Sequence, residues 1–455
     1  MKTLKLFAAV SLIVLMAVSL SHCTFPSTET PAPPVETSVP PTAVATALPT
    51  APPPNEDYLE VFEVVWQTVD QTYFDPEFGG LDWQGVHDDY EPLVAAAQDD
   101  ETLYQILNQM MWELNVSHTG VGRADGWRVI EPVAFARGEI GVDVRLLGDQ
   151  AVITRVEAGS PAGEAGLRPG FVIQRIEGVP VEQIIATAEG RLGPPYNERG
   201  RIDGLTRQLL GLIYGDPGTS VSLSYLDEND VVHEQSFERA RRGRMSPLAG
   251  IPLPAAYLEF ESLRLENGIG YIRFNMFHPN LIPDMADAVA AFQDAPGIII
   301  DLRGNAGGDS GTGEQMAAQF LEQNTPFGTF ISREESWETV IAGEGIYTGT
   351  VVILIDTLSY SCSEWFSSGM QASGRATIVG QRSPGGATGM NIATLPNGAL
   401  LGYPVLKLIT PDGIVLEGHG VIPDIAVSLD RVQLLQGIDA QLEAGVGFIL
   451  DAVQE

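Results

Sequence analysis

Lysine is nearly missing from this chain of 455 residues. Lys2 and Lys5 stand at its start and Lys407 far downstream, against 59 acidic residues and a net charge of −34. Any step that needs an ammonium group in the body of the protein therefore rests on Lys407. So acidic a surface repels nucleic acid and anionic membranes; because the acids are dispersed, the charge reads as solubility rather than as an acidic tail. Cysteine is scarcer still, with only Cys23 and Cys362. No C-x-x-C or H-E-x-x-H spacing occurs, so the sequence supports no metal site and calls for no cofactor. His22, His87, His233 and His278 lie in unrelated contexts.

The long apolar run lies at the start, where MKTLKLFAAVSLIVLMAVSLSHC places Lys2 and Lys5 before roughly 15 apolar residues, the form of a secretory signal rather than a membrane span. Leu20 to Cys23 (LSHC) resembles a bacterial lipobox, with His22 where a small residue is usual. The expectation is an exported, membrane-anchored extracytoplasmic lipoprotein with residues 1–23 as leader and Cys23 lipidated, free secretion being the alternative. Removing residues 1–22 takes away two lysines and no acid, so −34 becomes −36. With Cys23 lipidated, no disulfide can form within one mature chain, and stability must come from packed cores. Residues 24–55 are dominated by Pro, Thr, Ala and Val without a periodic apolar face, which predicts a disordered tether.

The rest is too long for one ordinary core and predicts two or three domains. Residues 56–128 read as helical: Phe62, Trp66, Val69 and Tyr73 recur at helical spacing, and a second amphipathic run from Asp100 to Leu114 leads into Ser117-His118. Residues 243–455 alternate strand-like and helix-like pieces, which argues for an α/β core with parallel pairing. No internal repeat is visible.

Within that core, the apolar run VVILID (Val351 to Asp356) reads as a buried strand, TLSYSCSE follows, and WFSSGMQAS reads as a helix ending at Gly374. A serine at this junction sits at a helix N-terminus, where outward-pointing N–H groups can hold a developing negative charge. The plainer reading is that Ser361-Cys-Ser-Glu364 is only a capping box.

These residues resemble the tail-specific, or C-terminal-processing, serine peptidases, and the likeness covers nearly the whole mature chain. It makes Ser361, three residues before the glutamate of S-x-S-x-S-E, the nucleophile. One branch of that family places a lysine base where this chain has Gly386, in SPGGATG. The other branch, typified by the archaeal tricorn core protease, uses a serine, an upstream Ser-His pair and a glutamate. Here these are Ser361, Ser117-His118 and Glu417 in LEGHGVIPD. The resemblance thus makes His118 the base, oriented by Glu417 or the Ser117 hydroxyl, directly or through one another. It places the oxyanion donors at Cys362 and at Gly307 or Gly308 in the turn DLRGNAGGD. Three rival assignments are Cys362 as nucleophile, His419 as base, and a Ser/Lys pair using Lys407.

Residues 129–242 resemble a PDZ domain, through RGEIGVDV, AVITRVEAGSPAGEAGLRPG and FVIQRIEGVPV, with Phe171 where an aspartate is usual. Such a domain adds an extended peptide to its sheet edge, and Glu139, Ile140 and Gly141 would hold the terminal carboxylate. The rival is that the domain only packs against the core. The fold implied is α/β: a crotonase-like (ClpP/crotonase-type) peptidase core with an inserted PDZ-like β-rich domain and an N-terminal helical region. The function implied is extracytoplasmic serine endopeptidase action on protein or peptide substrates. The alternative is a catalytically inactive peptide- or lipid-binding member of the fold.

Overall fold

The computed structural model describes residues 55–123, 132–189, 197–241, 243–248 and 250–454. The segments expected as leader and tether, with Cys23, lie outside them as far as residue 54.

The chain begins with three helices, α1 (Glu56–Thr72), α2 (Trp83–Ala95) and α3 (Asp100–Trp112). Each starts on a side chain that accepts a backbone N–H of the first turn: Asn55, Asp82 and Asp99. Phe62, Val65 and Val69 of α1 pack with Leu103, Leu107 and Met111 of α3, as the helical spacing predicts. Trp66 sits at the rim of this core and donates its indole N–H to the Trp83 carbonyl at 2.9 Å. After α3 the chain forms a three-residue strand, β1 (Gly120–Gly122). Asn108 holds it from both sides: its Nδ2 donates to the Val121 carbonyl at 2.8 Å and its Oδ1 accepts the Val121 N–H at 2.9 Å.

Residues 138–241 build a β-rich unit. Its sheet contains β2 (Val142–Leu147), β3 (Gln150–Val156), β4 (Val172–Ile176), β5 (Ser220–Leu226) and β6 (Val232–Glu238) in that order, so β2 is an edge. The helix α4 (Glu198–Ile213) belongs to this unit and is buried on every side from Asp203 to Leu210. A helix apolar on one face only would not tolerate that. α4 does so because its polar side chains Asp203 and Arg207 form a buried ion pair, at 2.8 Å.

The core carries a six-stranded sheet in the order β7 (Phe260–Arg264), β8 (Gly270–Phe274), β9 (Gly297–Asp301), β12 (Thr350–Ile355), β13 (Thr377–Gly380) and β16 (Ile425–Ala426). Only β7 runs antiparallel to its neighbour; every later pair is parallel. Strands β9 and β12 are buried on both faces, which is why they read as unbroken Ile and Val runs. A second sheet joins β10 (Thr325–Ile331), β11 (Ser336–Ile341), β14 (Gly389–Thr394) and β15 (Leu400–Ile409). The N-terminal β1 pairs antiparallel with β15, Gly120 opposite Gly402 and Val121 opposite Leu401. This short stitch carries Ser117-His118 into the core.

Candidate active site

The carboxyl ends of β9 and β12 open into two neighbouring turns, the place where a parallel sheet leaves room for a site. The turn after β12 ends at Ser361, directly before α5 (Cys362–Ala372). Ser361 has φ 57° and ψ −120°, a conformation L residues avoid, at a cost of about 1–3 kcal/mol. That bend lifts its hydroxyl off the helix end. Glu364 accepts the Ser361 N–H at 3.2 Å, as a capping box requires, but the Ser361 hydroxyl faces His118 Nε2 at 3.0 Å. His118 is held in the same left-handed region, at φ 62°.

The hydrogen bonds fix the proton positions. Glu417 accepts the Ser117 N–H on Oε1 at 2.6 Å, and the Ser117 hydroxyl and Ala387 N–H on Oε2 at 2.8 and 2.7 Å. The Ser117 hydroxyl proton is thus committed to the carboxylate, so its oxygen accepts from His118 Nδ1, 2.6 Å away. His118 is then the Nδ1–H tautomer, and the lone pair on Nε2 points at the Ser361 hydroxyl. Burial, helped by the nearby Arg207 guanidinium, pushes His118 down to about 3, so its imidazole is neutral. Burial also raises Glu417, against the pull of the Ser117 and Ala387 N–H groups.

The glycine-rich turn after β9 packs on the nucleophile. A Cβ on Gly307 would lie 2.5 Å from the Ser361 Cβ and 2.6 Å from the Tyr360 carbonyl, so glycine is obligatory. The Gly307 N–H donates to Asn305 Oδ1 at 2.9 Å. Of the two glycines expected to supply a donor, this leaves Gly308, together with Cys362, as amides without such an acceptor among the described residues. Two charges of this turn are spent on each other: Arg303 bonds Asp301 through Nε at 2.9 Å, and it also reaches Asp439.

The rival assignments fare differently. The Cys362 thiol is buried and pushed well up by burial and by the Asp309 and Glu314 carboxylates, which disfavours a thiolate. His419 Nδ1 lies 2.9 Å from the Gly420 carbonyl, away from Ser361. Leu406 and Leu408 line the pocket beside Ser361, so strand alternation turns Lys407 to the opposite face of β15. At Gly386, a Cβ would fall 2.1 Å from the Tyr360 ring. Tyr360 fills the space a side chain from that position would need, and stacks on His118 with centroids 5.1 Å apart.

Several groups escaped sequence reasoning. Thr388 Oγ1 donates to the Ser117 carbonyl at 3.0 Å and lies 3.3 Å from His118 Nδ1. Ser383 donates its hydroxyl to Glu364 at 2.6 Å, beside the Gly385 N–H at the same distance, and burial pushes Glu364 up to about 8. From α4, Arg199 donates to the carbonyls of Ser383, Gly418 and His419 at 2.8, 3.0 and 2.9 Å. The Arg207 guanidinium lies over the other member of the stack, 5.3 Å from the Tyr360 ring. Only Ser383 and Thr388 carried a local signal, as the hydroxyls of the segment aligned with the missing lysine.

Glu139, Ile140 and Gly141 lie apart from these residues. Ile140 is buried, with its carbonyl bonded to the Ala162 N–H at 2.9 Å, and Gly141 turns the chain into β2 at φ 83°. Glu139 and Gly141 border a cavity of about 750 Å³ between β2, α4 and the core, with Leu210 and Tyr214 on one wall.

The pattern defining peptidase family S41 matches residues 268–427, and that of the tricorn protease C1 domain matches residues 54–112. The chain is 25% identical over 400 residues to the carboxyl-terminal-processing protease of Synechocystis sp., spanning 85% of this chain and 86% of that one. It is 24% identical over 393 residues to the chloroplastic carboxyl-terminal-processing peptidase 3 of Arabidopsis thaliana, spanning 81% and 69%. Among solved structures, mature CPAF superposes with a TM-score of 0.57 at 13% identity, over 88% of this chain and 96% of that one. The photosystem II D1 C-terminal processing protease gives 0.52 at 18%, over 84% and 98%. Tricorn protease gives 0.50 at 17%, over 88% of this chain and 37% of that one.

Proposed function

Because this chain belongs to peptidase family S41, the tail-specific and carboxyl-terminal-processing serine peptidases, we propose that it hydrolyses peptide bonds through an acyl-enzyme at Ser361. The observation that carries this reading is the unbroken hydrogen-bonded line Ser361–His118–Ser117–Glu417, drawn from three distant parts of the chain.

The Ser361 Oγ attacks the carbonyl carbon while its proton passes to His118 Nε2. The imidazolium so formed keeps its Nδ1 proton on Ser117 and is stabilised through it by Glu417. The oxyanion is met by the N–H groups of Gly308 and Cys362. Collapse breaks the C–N bond, and the Nε2 proton goes to the departing amine. Water then attacks the ester, giving its proton to Nε2, and the serine leaves with that proton.

Neutral His118 and the absence of a lysine at Gly386 favour the tricorn-like arrangement over a Ser/Lys pair. The α/β core has the character of a crotonase-like fold, and the unit at 138–241, with its open β2 edge and Gly141 turn, supports a PDZ-like module that takes up substrate ends. The leader and LSHC support export and lipid anchoring at Cys23. The enzyme then acts outside the cytoplasm as an endopeptidase on unfolded or terminal segments. A non-catalytic binding protein has no use for a strained serine bonded to a neutral histidine. Turnover of an unfolded protein substrate should vanish in Ser361→Ala while the fold is kept; equal turnover by Ser361→Ala would end this reading.

A further inference from the structure

The backbone of Ser117, which carries His118 into the site, is gripped from both sides. Its N–H is bound to Glu417 Oε1 at 2.6 Å. Its carbonyl takes a hydrogen bond from Thr388 Oγ1 at 3.0 Å, and among the described residues it has no other donor. Thr388 is itself firmly placed: it is buried, it follows Ala387, whose N–H is tied to Glu417 Oε2 at 2.7 Å, and it directly precedes β14. Its branched side chain has few rotamers, so the backbone sets where the hydroxyl lies.

That hydroxyl has one proton to give. A buried carbonyl left without a donor is costly, so the proton stays on the Ser117 carbonyl. The oxygen then offers only lone pairs to its other two neighbours, Ser117 Oγ at 3.0 Å and His118 Nδ1 at 3.3 Å. Because the Ser117 hydroxyl proton is committed to Glu417, the His118 Nδ1 proton lies between two acceptors, Ser117 Oγ at 2.6 Å and Thr388 Oγ1 at 3.3 Å. Both are better acceptors for the imidazolium than for the neutral ring. His118 also sits at φ 62°, a conformation that an L residue keeps only when its surroundings over-determine it. Thr388 supplies part of that constraint, by fixing the carbonyl of the peptide bond that leads into the strained residue.

We propose that Thr388 is a positioning residue for the catalytic base: its hydroxyl clamps the Ser117 carbonyl and shares the Nδ1 proton of His118, keeping Nε2 turned toward Ser361. The inference rests on the serine-peptidase reading above. The segment that lacks a lysine at Gly386 thus still serves the proton transfer, holding the base instead of providing it.

The probe is a fluorophosphonate, reacted with the full chain at a series of concentrations so that the maximal labelling rate of Ser361 and the half-saturating concentration are read separately. Thr388→Val keeps the branched shape and removes the hydroxyl. It should lower the maximal rate by about tenfold or more and leave the half-saturating concentration within about twofold. Thr388→Ser returns the hydroxyl and should recover the rate to within about threefold of native. If Thr388→Val does not fold, Thr388→Ser against Thr388→Ala isolates the same oxygen and should show the same gap. A folded Thr388→Val that labels within about threefold of native overturns the proposal, as does a loss that Thr388→Ser leaves unrecovered or a change confined to the half-saturating concentration. Any of these with native Ser361 labelled sinks only the role of Thr388, whereas a native Ser361 that does not label sinks the serine-peptidase reading and that role with it.

Discussion

At the scale of single residues, the site turns on where protons rest. A free imidazole titrates near 6.5, but burial and Arg207 push His118 down to about 3. The base is therefore neutral through the mildly acidic range, and the acid limb of kcat/KM, measured on an uncharged peptide, should fall well below pH 6.5. A limb at or above the ordinary imidazole value would show that His118 is not the titrating base. Gly386 gives a second expectation. Its Cβ would enter the Tyr360 ring, so Gly386→Ala should displace the stack on His118 and cut kcat by about a hundredfold or more, with a stability loss of about 1–3 kcal/mol by thermal melting. Gly386→Lys should be no better, because the ring blocks the route to Ser361. Sequence could show that the lysine is missing at this position; it could not show the tyrosine standing in its place.

Secondary-structure elements place those residues, and they were unequally legible. Helix α1 and strand β12 follow from period and composition, because each buries a continuous apolar face. The serine turn was legible because strand, polar turn and helix succeed one another within a few residues. Helix α4 was not. Its position depends on polar side chains reaching another part of the chain: Arg199 to Ser383, Gly418 and His419, and Arg207 to the Leu358 carbonyl at 3.4 Å. Nothing local marks an arginine that caps carbonyls some 200 residues away, as the separation of Arg199 from Gly418, 219 residues, illustrates. Those carbonyls lie in the two segments that carry Ala387 and Glu417, so Arg199 is a positioning residue. Arg199→Ala should lower kcat by about tenfold and leave KM nearly unchanged, with partial recovery in Arg199→Lys. A change in KM alone would assign Arg199 to substrate binding instead.

At the scale of the whole molecule, the site exists only when distant segments meet. Ser117 and Glu417 are separated by 300 residues and His118 and Ser361 by 243, so the resemblance could supply the membership of the site but not its wiring. Assembly also buries charge, which ties stability to pH. Glu364, pushed up to about 8 by burial, binds a proton in the folded state that the unfolded chain releases near its ordinary 4.5. Its contribution is complete below that ordinary value and is lost as pH rises through about 8. His118 works in the opposite sense, its contribution being complete above 6.5 and lost as pH falls toward about 3. Thermal stability should thus decline from pH 6 to 9 in the native protein, by an amount on the order of a few kcal/mol, and the slope should flatten in Glu364→Gln. An unchanged slope in that variant would place the titration elsewhere.

The most direct measurement is covalent labelling with a fluorophosphonate followed by peptide mapping, on the native protein, His118→Ala and Lys407→Ala. A neutral imidazole facing Ser361 predicts a label on Ser361 in the native protein and in Lys407→Ala, and little or none in His118→Ala. A label that survives in His118→Ala but disappears in Lys407→Ala, or that maps to Cys362, would contradict the Ser361–His118–Ser117–Glu417 assignment.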